Sequence, residues 1–282
     1  MNQPIKDAKT LEGAAATFAR YRRDDSPKPT QWNDTLELLL AHRSHRAFLP
    51  QKLPEGALET IVAAAQSAST SSNLQVWSVV AVTDQERKNR LAELAGGQQH
   101  VRDCAVFLVW LSDLHRLEQL AKAGGREAAA LPYLELFMTG VVDAALAAQN
   151  AVVALESLGL GSVYIGAMRN KPEEVAKELA LPHNVFAVFG MAVGYPDPAV
   201  ETGVKPRLGQ AAVLHHEQYS FGEAQLDAVN TLDAKFRDFQ KEQNLPEQGW
   251  IRQVLSRVRG PDAMSGRHRL KEILESMGIG LK

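Results

Sequence analysis

Residues 133–166 read YLELFMTGVVDAALAAQNAVVALESLGLGSVYIG. From Tyr133 to Leu158 the run is rich in alanine, with Asp143, Gln149 and Asn150 interrupting its apolar surface, which is the pattern of a central helix buried on most sides. Gly159-Leu-Gly161 ends that helix and leads into a short strand, Ser162 to Ile165. A helix of this kind has to be covered, so the segments on either side are read as the layers that cover it.

On the N-terminal side, Asn33 or Asp34 caps a short helix with Leu36, Leu39 and Leu40 on one face. A second helix runs from Pro54 through Ala68, and a third from its cap Asp84 to Leu94, stopped by Gly96-Gly97. Val76 to Val82 and the continuous apolar run Cys104 to Leu111 read as strands, the latter fully buried. On the C-terminal side a helix follows Pro172, Val185 to Val193 is a strand, and Gly194 to Gly209 is a loop heavy in Gly and Pro. The remainder reads as helices over 226–240, 250–258 and 268–277. Strands separated by helices without a regular β-α-β-α alternation indicate an α+β fold with one sheet of four to five strands, not a doubly wound Rossmann sheet. Residues 1–31 read as an appended helix and a linker, because Asp24-Asp25-Ser26-Pro27-Lys28-Pro29 favours extended chain. The body is expected over 32–282, with a helical excursion from about 223 to 282.

Composition narrows the function classes. The chain has 282 residues, 45% apolar and 23% charged, which excludes disorder as its main state. A net charge of −2 gives no global positive field to hold a polyanion, so no nucleic-acid partner is expected. The single cysteine, Cys104, cannot form an intramolecular disulfide and fits a reducing, cytoplasmic setting. Cys104 to Leu111 is also the longest unbroken apolar run and is too short to span a bilayer, so no membrane role is expected. The N-terminal residues lack the apolar stretch of a secretory signal.

Familiar catalytic motifs are absent. No Gly-x-Gly-x-x-Gly follows a strand, and Gly124-Gly125-Arg126 lacks the Lys-Ser/Thr of a phosphate loop. There is no Gly-x-Ser-x-Gly elbow. His216-Glu217 lacks the second histidine of a zinc protease, and His42 with His45 has no acid or cysteine nearby, so no metal is expected. What remains is a series of polar clusters. His42-Arg43-Ser44-His45-Arg46 offers donors suited to a phosphate, or equally a solvated basic loop. Ser69-Thr70-Ser71-Ser72-Asn73-Leu74-Gln75 and Gly96-Gly97-Gln98 are by themselves helix stops. Gly166, at a strand end before Arg169, lets a flat ligand approach the backbone. Lys205-Pro206-Arg207 is a cationic turn.

Together and in this order, these clusters resemble the flavin-dependent nitroreductase family, in particular its oxygen-insensitive, NADPH-preferring nitroreductases and related bacterial flavin reductases. The match runs through His42-Arg43-Ser44-x-Arg46, Leu74-Gln75, Gly96-Gly97-Gln98-x-His100-Val101, Gly140-Val-Val-Asp143, Ala148-Gln149-Asn150, Glu156 to Gly161, Tyr164-Ile165-Gly166 and Lys205-Pro-Arg-Leu208, and it covers roughly residues 34–280. The resemblance implies a mostly antiparallel sheet, a homodimer with its sites at the subunit interface, and FMN as cofactor, with NADPH, or else NADH, as donor. No protein nucleophile is then needed. It further implies that His42, Arg43, Ser44 and Arg207 anchor the phosphate, while Arg46 and Lys205 place charge near N1 and O2. Thr70, Ser71, Ser72 and Gln75 would meet the flavin from the partner subunit. Gln98 would bond the ring edge or ribityl chain, and Tyr164, Ile165, Gly166 and Ala167 would lie along its face. Asn73 and Arg169 would face the substrate.

Two positions depart from the family pattern: Ala167, where a second glycine is usual, and Asn73, where an apolar or aromatic side chain is usual. Residues 250–282 carry seven Lys/Arg against three acids, and Arg267 is the expected contact for the 2′-phosphate of NADPH. The implied activity is two-electron reduction of nitroaromatics or quinones by a ping-pong cycle. Supply of reduced FMN as a flavin reductase is one alternative, and non-catalytic carriage of flavin or another ligand is a second.

Overall fold

The computed structural model describes residues 8–23 and 26–282. Residues 1–7 of the expected N-terminal helix, and Asp24 and Asp25 of the expected linker, lie outside the described residues. In chain order the elements are α1 (Ala8–Tyr21), α2 (Asp34–Ala41), α3 (Ala57–Gln66), β1 (Trp77–Val82), α4 (Gln85–Leu94), α5 (Gln99–Asp103), β2 (Val106–Asp113), α6 (His115–Ala123), α7 (Leu134–Ser157), β3 (Gly161–Ile165), α8 (Pro172–Glu178), β4 (Val185–Gly194), α9 (Glu223–Glu242), α10 (Gly249–Val258) and α11 (Leu270–Ser276). Contacts divide the chain into two compact units, Met1–Arg43 with Ala199–Ala263 and Ser44–Pro198 with Met264–Lys282.

The second unit holds the sheet. Its strand order is β1-β2-β4-β3, and every pairing is antiparallel. Side chains alternate across β2 with the period of two that a strand imposes. Val106, Leu108 and Trp110 pack on one face against Ala144, Ala147, Ala148, Ala151 and Leu155 of α7 and Ile61 of α3. Phe107, Val109 and Leu111 pack on the other against Leu91 and Ala92 of α4 and Val175 of α8. Because helices cover both faces, β2 reads as a continuous apolar run and not as an alternation. α7 is long and apolar enough to cross a bilayer by length and composition, yet its alanine face is spent on this core. Gly140 sets how closely α7 approaches the sheet, since a Cβ there would collide with Ser112 and come within 3.2 Å of the Val76 carbonyl oxygen. One irregularity interrupts the sheet: Trp110 pairs with Phe189 and Leu111 with Ala187, which leaves Val188 as an extra, bulged residue of β4.

In the first unit, α1 and the chain after it fold back together. Thr17 Oγ1 donates to the Pro27 carbonyl at 2.7 Å, and Gly13 is packed so tightly that a Cβ would lie 2.8 Å from Pro29 and Trp32. Arg22 pairs with Glu242 at the end of α9, 2.8 Å away, with its guanidinium 5.4 Å from the centre of the Phe239 ring. α10 is joined to α9 by two caps, Gly249 N–H to Gln240 Oε1 at 2.9 Å and Ile251 N–H to Asp233 Oδ1 at 2.7 Å.

Local signals account for some element ends. Asn33 and Asp84 cap α2 and α4 through their side chains, accepting Leu36 N–H at 3.0 Å and Arg87 N–H at 2.8 Å. α3 starts at Ala57 instead of Pro54, because Gly56 precedes it in the left-handed region. Cys104 caps the end of α5 and does not begin β2. The short helices α5 and α6 are not expected from the sequence, although Gly124 and the left-handed Gly125 end α6.

Candidate functional site

The first unit brings together four of the expected residues. α2 ends at Ala41, and His42 turns the chain out of the helix with extended backbone. The loop carrying Lys205, Pro206 and Arg207 is laced to this turn by Arg20 of α1. The Arg20 guanidinium donates to the carbonyls of Lys205 at 2.9 Å, Leu40 at 2.6 Å and His42 at 2.7 Å, and the Arg20 carbonyl accepts the Arg207 N–H at 3.1 Å. Arg43 adds a bond to the Thr202 carbonyl at 3.1 Å. His42, Arg43, Lys205 and Arg207 thus belong to two segments held to one another, and their donors suit a phosphate.

In the second unit, Ser44 bridges to Ser162 and His45 N–H donates to the Ser162 carbonyl at 2.9 Å, so the basic segment continues as a short partner of β3. At the far end of β3, Tyr164 is exposed while Ile165 is buried. Gly166 and Ala167 then enter a tight turn that ends at Arg169. The bulge in β4 bears directly on this turn: the carbonyl of Val188 accepts a hydrogen bond from Arg169 Nη1. With that anchor, Arg169 Nη2 sits 3.3 Å from where a Cβ on Gly166 would be. Arg267 Nε donates to Asn170 Oδ1 at 2.9 Å. Burial, and next the charge of Arg267, lowers the pKa of Arg169. Two guanidinium groups side by side at a glycine-floored turn suit an anionic ligand group.

The Thr70–Gln75 segment is mostly exposed and strained. Ser72, Asn73 and Gln75 have φ of 50°, 54° and 51°, a region that costs an L-residue roughly 1–3 kcal/mol when the surroundings impose it. The imposition comes from Asp143, fully buried in α7, whose Oδ1 accepts Ser71 N–H at 3.0 Å and whose Oδ2 accepts Val76 N–H at 3.2 Å. Arg116 holds the far end by donating to the Gln75 carbonyl at 2.8 Å and to Ser78 Oγ at 2.8 Å. Gln98 is turned inward, its amide donating to the Ala95 carbonyl at 2.8 Å. Nearby, the buried Nε2 of His100 has no hydrogen-bond partner among the described residues. Burial, and next the positive charge of Arg46, pushes the His100 pKa down, which leaves a neutral imidazole at pH 7.

Sequence reasoning placed the residues of the clusters but missed what holds them. Arg20, Arg116 and the Asp143 bonds are non-local and leave no spacing signal. No group of three metal-ligating side chains occurs among the described residues. A cavity of about 950 Å³ is lined by Phe48, Leu58, Lys88, Arg102 and Cys104, among others, and none of the expected site residues borders it. The Cys104 thiol there donates to the Val101 carbonyl, and burial pushes its pKa to about 11, so it is no nucleophile at neutral pH.

Comparison with known proteins identifies the family. The model of the "Nitroreductase family" matches residues 39–195, and that of the "Nitroreductase family, C-terminal domain" matches 205–282. The chain is 41% identical over 228 residues to the FMN reductase (NADPH) of Bacillus subtilis, covering 79% of this chain and 91% of the relative. It is 43% identical over 185 residues to the oxygen-insensitive NADPH nitroreductase of Salmonella typhimurium, covering 66% and 74%. The NADPH:FMN oxidoreductase of Vibrio harveyi, solved with NAD+, superposes with a TM-score of 0.77 at 36% identity, over 87% of this chain and 98% of that one. With the antiparallel sheet, the long central helix and both matched segments in agreement, the chain belongs to the nitroreductase family.

Proposed function

We propose that this protein is an FMN-dependent oxidoreductase that takes electrons from NADPH and reduces nitroaromatics or quinones in two-electron steps by a ping-pong cycle. Relatives named for FMN and NADPH support the cofactor and the donor. The observation that carries the reading is the pairing of His42 and Arg43 with Lys205 and Arg207 through Arg20.

The residues fit such a cofactor on three counts. His42, Arg43 and Arg207, with Ser44 next in the chain, form a donor set for a phosphate dianion. Gly166 presents backbone without a Cβ, so a flat ring can lie close to the turn beside Tyr164, Ile165 and Ala167. The unpartnered Nε2 of His100 is a buried polar atom that a ligand donor would satisfy. Bound FMN would supply hydride acceptance from a nicotinamide and two-electron delivery to a second substrate.

The chain's own groups then have distinct tasks. Arg46 and Lys205 would each offer positive charge to the pyrimidine side of the bound ring, where reduction builds negative charge. Thr70, Ser71, Ser72 and Gln75 offer hydroxyl and amide contacts across a subunit boundary. Gln98 reaches the ring edge only by leaving the Ala95 carbonyl. Arg169 and Arg267 receive anionic groups of the donor, the 2′-phosphate at Arg267, and Asn73 faces the acceptor.

Assembly as a homodimer fits the outer face of α7. Leu134, Met138, Val142 and Leu146 recur every four residues and are 42%, 53%, 50% and 43% exposed, an apolar stripe opposite the core face. A buried free thiol and a nicotinamide donor fit the cytoplasm. The FMN reductase relative favours a second reading, in which free flavin is the acceptor.

An absorbance scan of the purified protein, followed by anaerobic addition of NADPH and then of a nitroaromatic, tests the proposal. A flavin spectrum that bleaches and recovers is expected. A colourless protein that takes up no added FMN would sink the reading, and recovery only with free flavin would select the reductase alternative.

A further inference from the structure

α1 lies outside both matched family segments, which begin at residue 39 and at residue 205. Its contacts are nevertheless directed at the segments that carry the proposed phosphate donors. Arg20 is only 8% exposed, and a buried guanidinium is retained only where hydrogen bonds replace its lost hydration. Arg20 meets that need with carbonyl oxygens from both sides: Leu40 and His42 at the end of α2, and Lys205 in the distant loop. Its planar fork aims Nη1 at one segment and Nη2 at the other in a fixed geometry, which a single ammonium does not reproduce. The Arg20 carbonyl completes the tie by accepting the Arg207 N–H.

The rest of α1 fixes where that guanidinium sits. Gly13 seats the helix against Pro29 and Trp32, Thr17 ties it to Pro27, and Arg22 ties its end to Glu242 of α9. The contacts are therefore ordered: α9 and the 27–32 segment hold α1, α1 holds Arg20, and Arg20 holds the backbones that present His42, Arg43, Lys205 and Arg207.

We infer that Arg20 is a positioning residue for cofactor binding, and that the N-terminal helix serves this chain as a brace that sets the spacing between the His42–Arg43 turn and the Lys205–Arg207 loop. The inference rests on the FMN reading above. It predicts a particular selectivity. Three of the four braced side chains are assigned to phosphate, so loss of the brace weakens FMN, which carries that phosphate, more than riboflavin, which does not. A general loss of stability would weaken both ligands alike.

The experiment uses the full chain stripped of flavin and titrated with FMN and with riboflavin, following quenching of flavin fluorescence. In Arg20→Ala the FMN dissociation constant is expected to rise by about tenfold or more, the effect of losing charge-assisted bonds that fix a binding group, with riboflavin affinity changed less than about threefold. Arg20→Lys keeps the charge but not the fork, and a rise of about three- to tenfold for FMN is expected; this variant carries the test if the alanine variant does not fold. Lys235→Ala, which breaks an exposed ion pair with Asp238 within α9, is expected to bind FMN within about twofold of wild type. Equal losses for FMN and riboflavin, or an FMN affinity in Arg20→Lys unchanged within twofold, would overturn the inference. If the wild-type chain itself binds no FMN, the flavin reading fails, an outcome separate from failure of Arg20 alone.

Discussion

The carboxyl group of Asp143, buried in the middle of α7, accepts the backbone N–H of Ser71 at 3.0 Å and thereby fixes the start of a loop whose next residues are held at positive φ. The second oxygen does the same for Val76, where β1 is about to begin. Asp143→Asn keeps the volume but turns an amide NH₂ toward one of two N–H donors. We expect a stability loss of about 1–3 kcal/mol, the range for a buried group left unsatisfied, together with weaker FMN binding because Thr70–Gln75 is released. Urea midpoints and FMN titrations check this, and an Asp143→Asn protein as stable as wild type would show that the loop is held by other means.

Arg267 is expected to act on the choice of donor. Arg267→Ala should raise KM for NADPH by about tenfold, as loss of one charge-assisted contact to a phosphate implies, while KM for NADH changes by less than about twofold. Steady-state kinetics with both nicotinamides read the difference. Equal changes would remove the 2′-phosphate from this residue and leave Arg267 as a neighbour that shapes the field at Arg169.

A charge placed in the exposed stripe of α7 should separate the subunits. Val142→Asp or Leu146→Asp puts a carboxylate where two apolar faces would meet, and sedimentation is expected to show monomers. Leu120→Asp, at a comparably exposed apolar residue of α6, should leave the assembly intact. A Val142→Asp protein that sediments like wild type would move the interface elsewhere.

Cys104 gives a pH dependence with a definite sign. Its thiol titrates at about 11 in the fold against an ordinary 9.0, so the folded state keeps the proton over a range where the unfolded chain loses it. The stabilisation is fully present below pH 9 and is lost as pH rises from 9 through 11, amounting to roughly 2–3 kcal/mol. Chemical denaturation of wild type and Cys104→Ala across this range isolates the contribution. Parallel pH profiles of the two proteins would refute it.

The fold was legible where a pattern repeats. The alanine face of α7 and the apolar run of β2 each announce themselves over many residues, and Asn33 and Asp84 mark their helices by local chemistry. The candidate site was legible as residue types in order, because each cluster lies within a few residues of chain. What joins the clusters was not. Arg20 is one arginine in a segment that reads as an appendage, and its three carbonyl partners lie 20, 22 and 185 residues away. Gln98 shows the same limit: its position in the motif implied a ligand contact, but nothing in the local sequence announced the bond from its amide to the Ala95 carbonyl.

The extra residue at Val188 also changes the phase of β4. Phe186 and Val188, at even positions, face the α7 side of the sheet, and so do Met191 and Val193, at odd positions. Ala187 faces the opposite layer, as does Ala192. One strand therefore carries two reading frames in its numbering, joined at the extra residue, and each half follows the faces of β2, with which it pairs. Removing Val188 would join the two halves into one regular ladder with the remaining residues on their present faces, and would take away the carbonyl that holds Arg169. The irregularity of the sheet and the anchor of the Arg169 side chain thus lie in the same single residue.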